Sequence, residues 1–296
     1  MFSAQAAAAH SAAEISPLAN PAAALLRATF QLVPGLGPTR ERGLWQAGVT
    51  DWAHWDLASE AASRIVPEAL RDKLARATAR ASAALAQGDL PRLAAALPAR
   101  EIWRLYGAFA QRAVFLDIEA DNRDDGGITA IGIYDQRGPR ILLAGRDLHH
   151  FPREVGPDCL LVTFNGACFD VPVLRRAFPD WQAPAAHIDL RPVWTRLGQW
   201  GGLKVIEERL GLGRPDHLRG VTGQTAVWLW REAQLGNRRA LQRFAEYNLY
   251  DTINLRTLLV MAHNQLAAAT GLDVPALPSF ARGDVLYDVS KVLLAL

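Results

Sequence analysis

The chain has 296 residues, half of them hydrophobic, and 32 Lys and Arg stand against 30 Asp and Glu for a formal net charge of +2. That length supports one large domain or two ordinary ones around a real core, and so small a charge does not by itself mark a nucleic-acid binder. No apolar run reaches membrane-spanning length and the first residues lack the basic and apolar regions of a secretion signal, so no membrane partner and a cytoplasmic location are expected. Lysine occurs only at Lys73, Lys204 and Lys291. Arginine, the better bidentate partner for phosphate, carries the rest of the positive charge, a bias that GC-rich codon usage explains. Cys159 and Cys168 suit neither a zinc knuckle nor a redox pair and are expected as buried free thiols.

In chain order, residues 1–24 are Ala-rich without an apolar period and read as a disordered tail. Residues 25–108 read as a helical region. Within it Pro34-Gly35-Leu36-Gly37 is a tight turn, Pro38 or Thr39 opens a helix carrying Leu44 and Trp45, and Thr50 and Asp51 are N-cap candidates for another. This stretch resembles a helix-hairpin-helix module, in which Gly35 and Gly37 would let backbone N–H groups approach a phosphate; an ordinary connection between two helices would use the same turn.

Residues 109–265 change character. Ala113–Leu116 reads as a buried strand ending in Asp117 and Glu119, followed by a polar turn over 121–127. Ile128–Tyr134 and Arg140–Ala144 follow as strands of an antiparallel meander, and Cys159–Phe164 as a fourth, apolar strand. Asn165-Gly166-Ala167-Cys168-Phe169-Asp170 leads into a helix over 171–178, with Phe169 as its apolar anchor. A short fifth strand at 188–190 precedes helices over 191–197, 203–210, 222–235 and 238–268. This order of elements is that of an α/β ribonuclease-H-like fold, a mixed sheet flanked by helices. Residues 266–296 form a C-terminal extension with a last amphipathic helix after Ser279.

Asp117 and Glu119, two residues apart on a strand, share a face and repel each other unless a cation lies between them or one keeps its proton. A solvated strand edge is the plainer reading of such a pair. Asp170 sits at a helix N-terminus, where an N-cap is the plainer reading, and Tyr247 and Asp251 share one helix face at i and i+4. Asp189 reads as a helix cap; His149, His150 and His187 read as surface or packing residues, and Glu246 falls on another helix face than Tyr247.

Asp117-x-Glu119, Asn165-Gly166-x-x-Phe169-Asp170 and Tyr247-x-x-x-Asp251, in that order, resemble the three exonuclease motifs of the DEDD superfamily, DEDDy branch. The stretches at 187–190 and 202–212 are similar to the bacterial YprB-type group of exonucleases, in which a helix-hairpin-helix segment precedes the nuclease domain. The resemblance implies a metal-dependent 3′–5′ exonuclease acting on single-stranded ends of DNA or RNA with two Mg²⁺ or Mn²⁺ ions. Asp117, Glu119, Asp170 and Asp251 would hold the metals, Tyr247 would orient the attacking water or help deprotonate it, and Gly35, Gly37 and Asn165 would contact the nucleic acid. A departure is Ala120 followed by Asp121, where many relatives carry Thr or Ser. A nucleic-acid-binding scaffold on an inactive nuclease fold and a structure-selective endonuclease are the competing functions.

Overall fold

The computed structural model describes residues 20–55, 60–121, 127–279 and 288–296. Most of the expected tail, most of the 121–127 turn and residues 280–287 of the C-terminal extension lie outside the described residues. Residues 20–24, counted by sequence into the tail, are instead ordered: the Asn20 side chain caps a 3-10 turn over Pro21–Ala23, and Ala23 is fully buried. Gly107, whose missing Cβ leaves room for the Ala22 carbonyl, lets this segment pack closely against α6.

The helical region consists of α1 (Ala24–Arg27), α2 (Pro38–Gln46), α3 (Glu60–Ile65), α4 (Glu68–Ala86), α5 (Leu90–Ala96), a 3-10 stretch over Ala99–Arg104 and α6 (Leu105–Phe109). Pro38 stands at the first helical position of α2 as expected, and Asp89 caps α5. Asp51 caps only a 3-10 turn over Trp52–His54 rather than a full helix.

The sheet contains β1 (Ala113–Ala120), β2 (Ile128–Asp135), β3 (Gly138–Leu143), β4 (Leu160–Thr163) and β5 (Ala186–Asp189), with α7 (Phe151–Glu154) before β4 and α8 (Asp170–Ala177) after it. Among the described residues the strand order is β3-β2-β1-β4-β5, with β1 antiparallel to β2 and parallel to β4. The mixed α/β sheet expected of a ribonuclease-H-like fold is therefore present. After β5 come α9 (Leu190–Arg196), α10 (Leu203–Leu210), α11 (Gly223–Gln234), the 31-residue α12 (Arg238–Ala268) and α13 (Ser290–Leu294). α13 lies within the stretch after Ser279 where a last helix is expected; residues 272–279 are not helical and are held to α12 by reciprocal Asn264–Leu277 hydrogen bonds.

Strand alternation splits the core. Val114, Leu116 and Ile118 face one cluster with Phe151, Leu174 and Trp181, whereas Ala113 and Phe115 face the other, which contains α12. The second cluster is continuous with the helical region: Leu25, Phe30, Leu85, Trp103 and Tyr106 belong to the same core as Leu255 and Leu258. The Tyr106 and Phe115 rings meet edge to face at 6.3 Å, so the described helices of this region are packed onto the sheet through apolar contact. No helix of the described residues is long and apolar enough to cross a membrane.

Candidate metal centre

Because residues 113, 115, 117 and 119 share one face of β1, the two carboxylates at its end point toward α12. Whether α12 can reach them depends on its distance from the sheet. Gly132 on β2 lies opposite Asp117, and a Cβ there would come within 2.2 Å of Thr252 Oγ1 and 2.5 Å of Asn248 Oδ1. The missing side chain lets α12 lie directly on β2. As a result Asn248 donates to Asp117 Oδ2 at 2.9 Å, and Asp251, one turn on, joins the same centre. A register shift between Glu119 and Ala120 ends the regular pairing at this point.

Asp117, Glu119 and Asp251 each offer a carboxylate oxygen within 4.8 Å of the others. This is the group the sequence anticipated, apart from Asp170. That residue lies outside the 4.8 Å group, buried at the first position of α8, where it makes no cap to its own helix; its Oδ1 accepts the Ile118 N–H at 3.2 Å. It is thereby held against β1 between Asp117 and Glu119.

Burial above all, then the facing carboxylates, drives Asp117 well above the usual carboxylate range. Glu119 is pushed up to about 8 by burial and by Asp251, and Asp170 to about 7 by burial, against the pull of its backbone hydrogen bonds. Such a group gains most from a bound cation, which replaces mutual repulsion by attraction. With oxygen the only donor type, the residues fit a hard divalent ion such as Mg²⁺ or Mn²⁺. The Tyr247 hydroxyl is likewise raised, by burial first and then by Asp251, Glu119 and Asp117, so the phenol keeps its proton.

Two cations absent from the sequence expectations lie at the centre. Lys204, in the first turn of α10, donates from Nζ to Asp251 Oδ2 at 3.1 Å and to the Tyr247 hydroxyl. Arg214 Nη2 lies 2.5 Å from Asp251 Oδ1 and also 2.5 Å from Glu207 Oε2, while Asn254 donates to the other Glu207 oxygen at 2.8 Å. Burial pushes Glu207 up to about 7, with Arg214 pulling the other way. Asn248 was also missed, although it stands beside Tyr247; i−3 spacing from Asp251 on a helix was the available signal. Lys204, as one of three lysines, was a weaker one.

The loop from β4 to α8 is fixed from below. Asp189 accepts N–H groups of Asn165 at 2.7 Å, Ala167 at 3.1 Å and Arg191 at 3.0 Å, so it caps α9 as expected and anchors the loop as well. Asn165 takes a left-handed φ of 65°, and its side-chain oxygen accepts from Arg191 at 2.9 Å. A Cβ on Gly166 would lie 2.1 Å from Thr163 Oγ1, so the turn requires glycine there. His187 is a packing residue, bonded to Thr163 at 2.8 Å.

Two expectations need correction. Phe169 does not anchor the loop in the core: it is 46% exposed, because residue 169 falls on the outer side of the turn into α8. Cys168 is exposed in the same loop, not buried; only Cys159 is partly buried, and burial raises its thiol to about 12. At the distant Pro34–Gly37 turn, Gly35 has φ 94° and needs glycine, but Gly37 has an ordinary φ of −91° as the N-cap of α2. Moreover α1, ahead of this turn, has only four residues.

Residues 114–263 match the family model of the RNase_H superfamily. No curated protein sequence matches the chain. Among solved structures, the chain is similar to the family B DNA polymerase of the hyperthermophilic archaeon Pyrobaculum calidifontis at 17% identity and a TM-score of 0.38, over 51% of this chain and 25% of the polymerase. It is also similar to the Aedes aegypti Nibbler EXO domain at 12% identity and a TM-score of 0.39, over 65% of this chain and 90% of that domain. The chain thus spans about a quarter of the polymerase it matches.

Proposed function

From the premise that the chain belongs to the RNase_H superfamily, we propose that it is a 3′–5′ exonuclease of the DEDDy type that hydrolyses phosphodiester bonds at single-stranded ends of DNA or RNA. The observation that carries this reading is the convergence of Asp117, Glu119 and Asp251 within 4.8 Å, with Tyr247 one helical turn before Asp251.

Asp117, Glu119 and Asp251 would hold one divalent ion, and Asp170, facing β1 from α8, would help hold a second. When bound, such ions supply an activated water and stabilise charge on the phosphate and the leaving 3′ oxygen. The remaining work falls to the protein. Asn248 fixes the Asp117 carboxylate, Ile118 N–H fixes that of Asp170, and Arg214 fixes that of Asp251. Tyr247, whose phenol keeps its proton, acts by orienting the attacking water rather than by removing its proton. The water oxygen bonds to phosphorus as the P–O3′ bond breaks; the 3′ oxygen leaves on the shortened strand and gains a proton, and a nucleoside 5′-monophosphate is released.

Exposed Phe169, beside Asp170, offers a face on which the terminal base can stack, a contact tolerant of sequence. Asn165 in the same loop and the Gly35 turn of the helical region are further contacts for the strand, the latter in the manner of a helix-hairpin-helix. A strand labelled at its 5′ end, incubated with Mn²⁺ or Mg²⁺, should shorten stepwise from the 3′ end, and a blocked 3′ end should stop it. Asp117→Ala should lower the rate at least about 10³-fold, the loss of several kcal/mol of transition-state stabilisation. Internal cuts insensitive to the 3′ block would point to an endonuclease; binding without cleavage under either metal would point to a scaffold.

A further inference from the structure

Asp251 has both carboxylate oxygens engaged, Oδ2 by Lys204 at 3.1 Å and Oδ1 by Arg214 at 2.5 Å. The two cations are held very differently. Arg214 is 10% exposed, and its guanidinium is fixed by Glu207 through two N–H groups as well as by Asp251. Lys204 is 39% exposed and reaches the centre on a flexible four-carbon stem from the first turn of α10; among the described residues its ammonium donates to Asp251 and Tyr247, over whose ring it lies at 4.3 Å. Of the two, Lys204 is the one that can leave.

We propose that Lys204 is a positioning residue that changes partners: without a divalent cation its ammonium neutralises Asp251, and once Asp251 turns to a divalent cation the ammonium is freed to hold the phosphate of the nucleic-acid end. The inference rests on the nuclease reading above. Its physical basis is that an ammonium 3.1 Å from Asp251 Oδ2 and a divalent ion shared by Asp117, Glu119 and Asp251 compete for the same carboxylate and repel each other. The displaced ammonium stays at the mouth of the centre, because its stem is anchored in α10 beside Tyr247. A compact point charge with rotatable donors suits a phosphate whose position changes during a reaction, whereas the pinned fork of Arg214 serves to hold Asp251. Metal loading and substrate capture become linked through one side chain.

The test compares wild type, Lys204→Met and Lys204→Arg, all checked for an unchanged far-UV circular dichroism spectrum and melting profile. Mn²⁺ alone is titrated calorimetrically into metal-free protein. Lys204→Met should bind Mn²⁺ about 3- to 10-fold more tightly than wild type, since the competing ammonium is gone, and Lys204→Arg should stay near wild type. At saturating Mn²⁺ the same Lys204→Met protein should show a KM for a single-stranded oligonucleotide raised about tenfold, with a smaller change in kcat. Equal or weaker Mn²⁺ binding by Lys204→Met overturns the proposal, as does tighter Mn²⁺ binding with an unchanged KM. If the Mn²⁺ affinities follow the expected order but wild type cleaves no nucleic acid, the nuclease reading fails while the competition at Asp251 stands. If wild type binds no Mn²⁺, both fail.

Discussion

Among the described residues, a cluster of buried charge in the helical region and another at the end of the sheet are built on opposite principles. In the first, Arg104, 2% exposed, lies 2.9 Å from Glu41 Oε2 and 2.8 Å from Glu101 Oε2, and donates to Thr29 at 2.8 Å. Arg196 reaches Glu101 at 3.2 Å, Gln31 donates to Glu41 at 2.7 Å, and Arg100 donates to Gln31 at 2.7 Å. Each carboxylate has an arginine, so the cluster fixes the 3-10 stretch against α2 and leaves neither glutamate unpaired. In the second, Asp117, Glu119, Asp170, Asp251 and Glu207 outnumber Lys204 and Arg214. The surplus of negative charge costs stability, and it is retained where a cation can offset it.

The largest expected effect breaks the balanced cluster. Glu101→Ala takes away one of the two carboxylates that hold Arg104 in the core, together with the partner of Arg196, and should cost about 3 kcal/mol, a fall of roughly 6–12 °C in Tm. This holds with or without divalent ions, and a calorimetric scan checks it. An unchanged Tm would mean that the cluster carries no part of the packing of α2.

The next effect sharpens the contrast through pH. Glu119, raised to about 8, and Asp170, raised to about 7, keep protons in the folded, cation-free protein that an unfolded chain gives up near pH 4. The folded state therefore binds more protons between about pH 4 and pH 8, and its stability falls as pH rises through that window. Tm measured in chelator should drop by roughly 5 °C from pH 5 to pH 8. Saturating Mg²⁺ or Mn²⁺ should abolish or reverse the drop, because bound cations favour the ionised carboxylates. A profile in chelator that is flat or rises would show that the acidic centre is not strained by its charge.

The smallest effect is a gain. Asp117→Asn removes one repelled carboxylate while leaving a side-chain oxygen to accept from Asn248, so the cation-free protein should melt roughly 2–4 °C higher, about 1 kcal/mol. Adding Mn²⁺ should stabilise wild type but not the variant. Removing a charge thus stabilises one cluster and destabilises the other.

How far the centre could be read beforehand follows the range of each signal. The strand-end pair Asp117 and Glu119 and the helical pair Tyr247 and Asp251 were visible because each is set by a local period, two on a strand and 3.6 on a helix. The elements themselves followed from the same periods and from start signals such as Pro38 at the head of α2. Phe169 was misjudged because an apolar residue in a loop has no period to say which way it faces. Lys204, Arg214 and Glu207 carry no local signal either, lying on α10 and in the segment after it, far from Asp117 in sequence.

By itself, then, the sequence determined which elements form and which carboxylates share a face, since backbone geometry dictates both over a few residues. Only the tertiary structure decided how close α12 comes to β2, through the vacant Cβ position at Gly132, and therefore that Asp251 meets Asp117 and Glu119. It also decided that a lysine and an arginine divide the oxygens of Asp251, and that the helical region shares a core with the sheet. These depend on packing between segments distant in the chain, and packing is settled by the shapes of both partners at once.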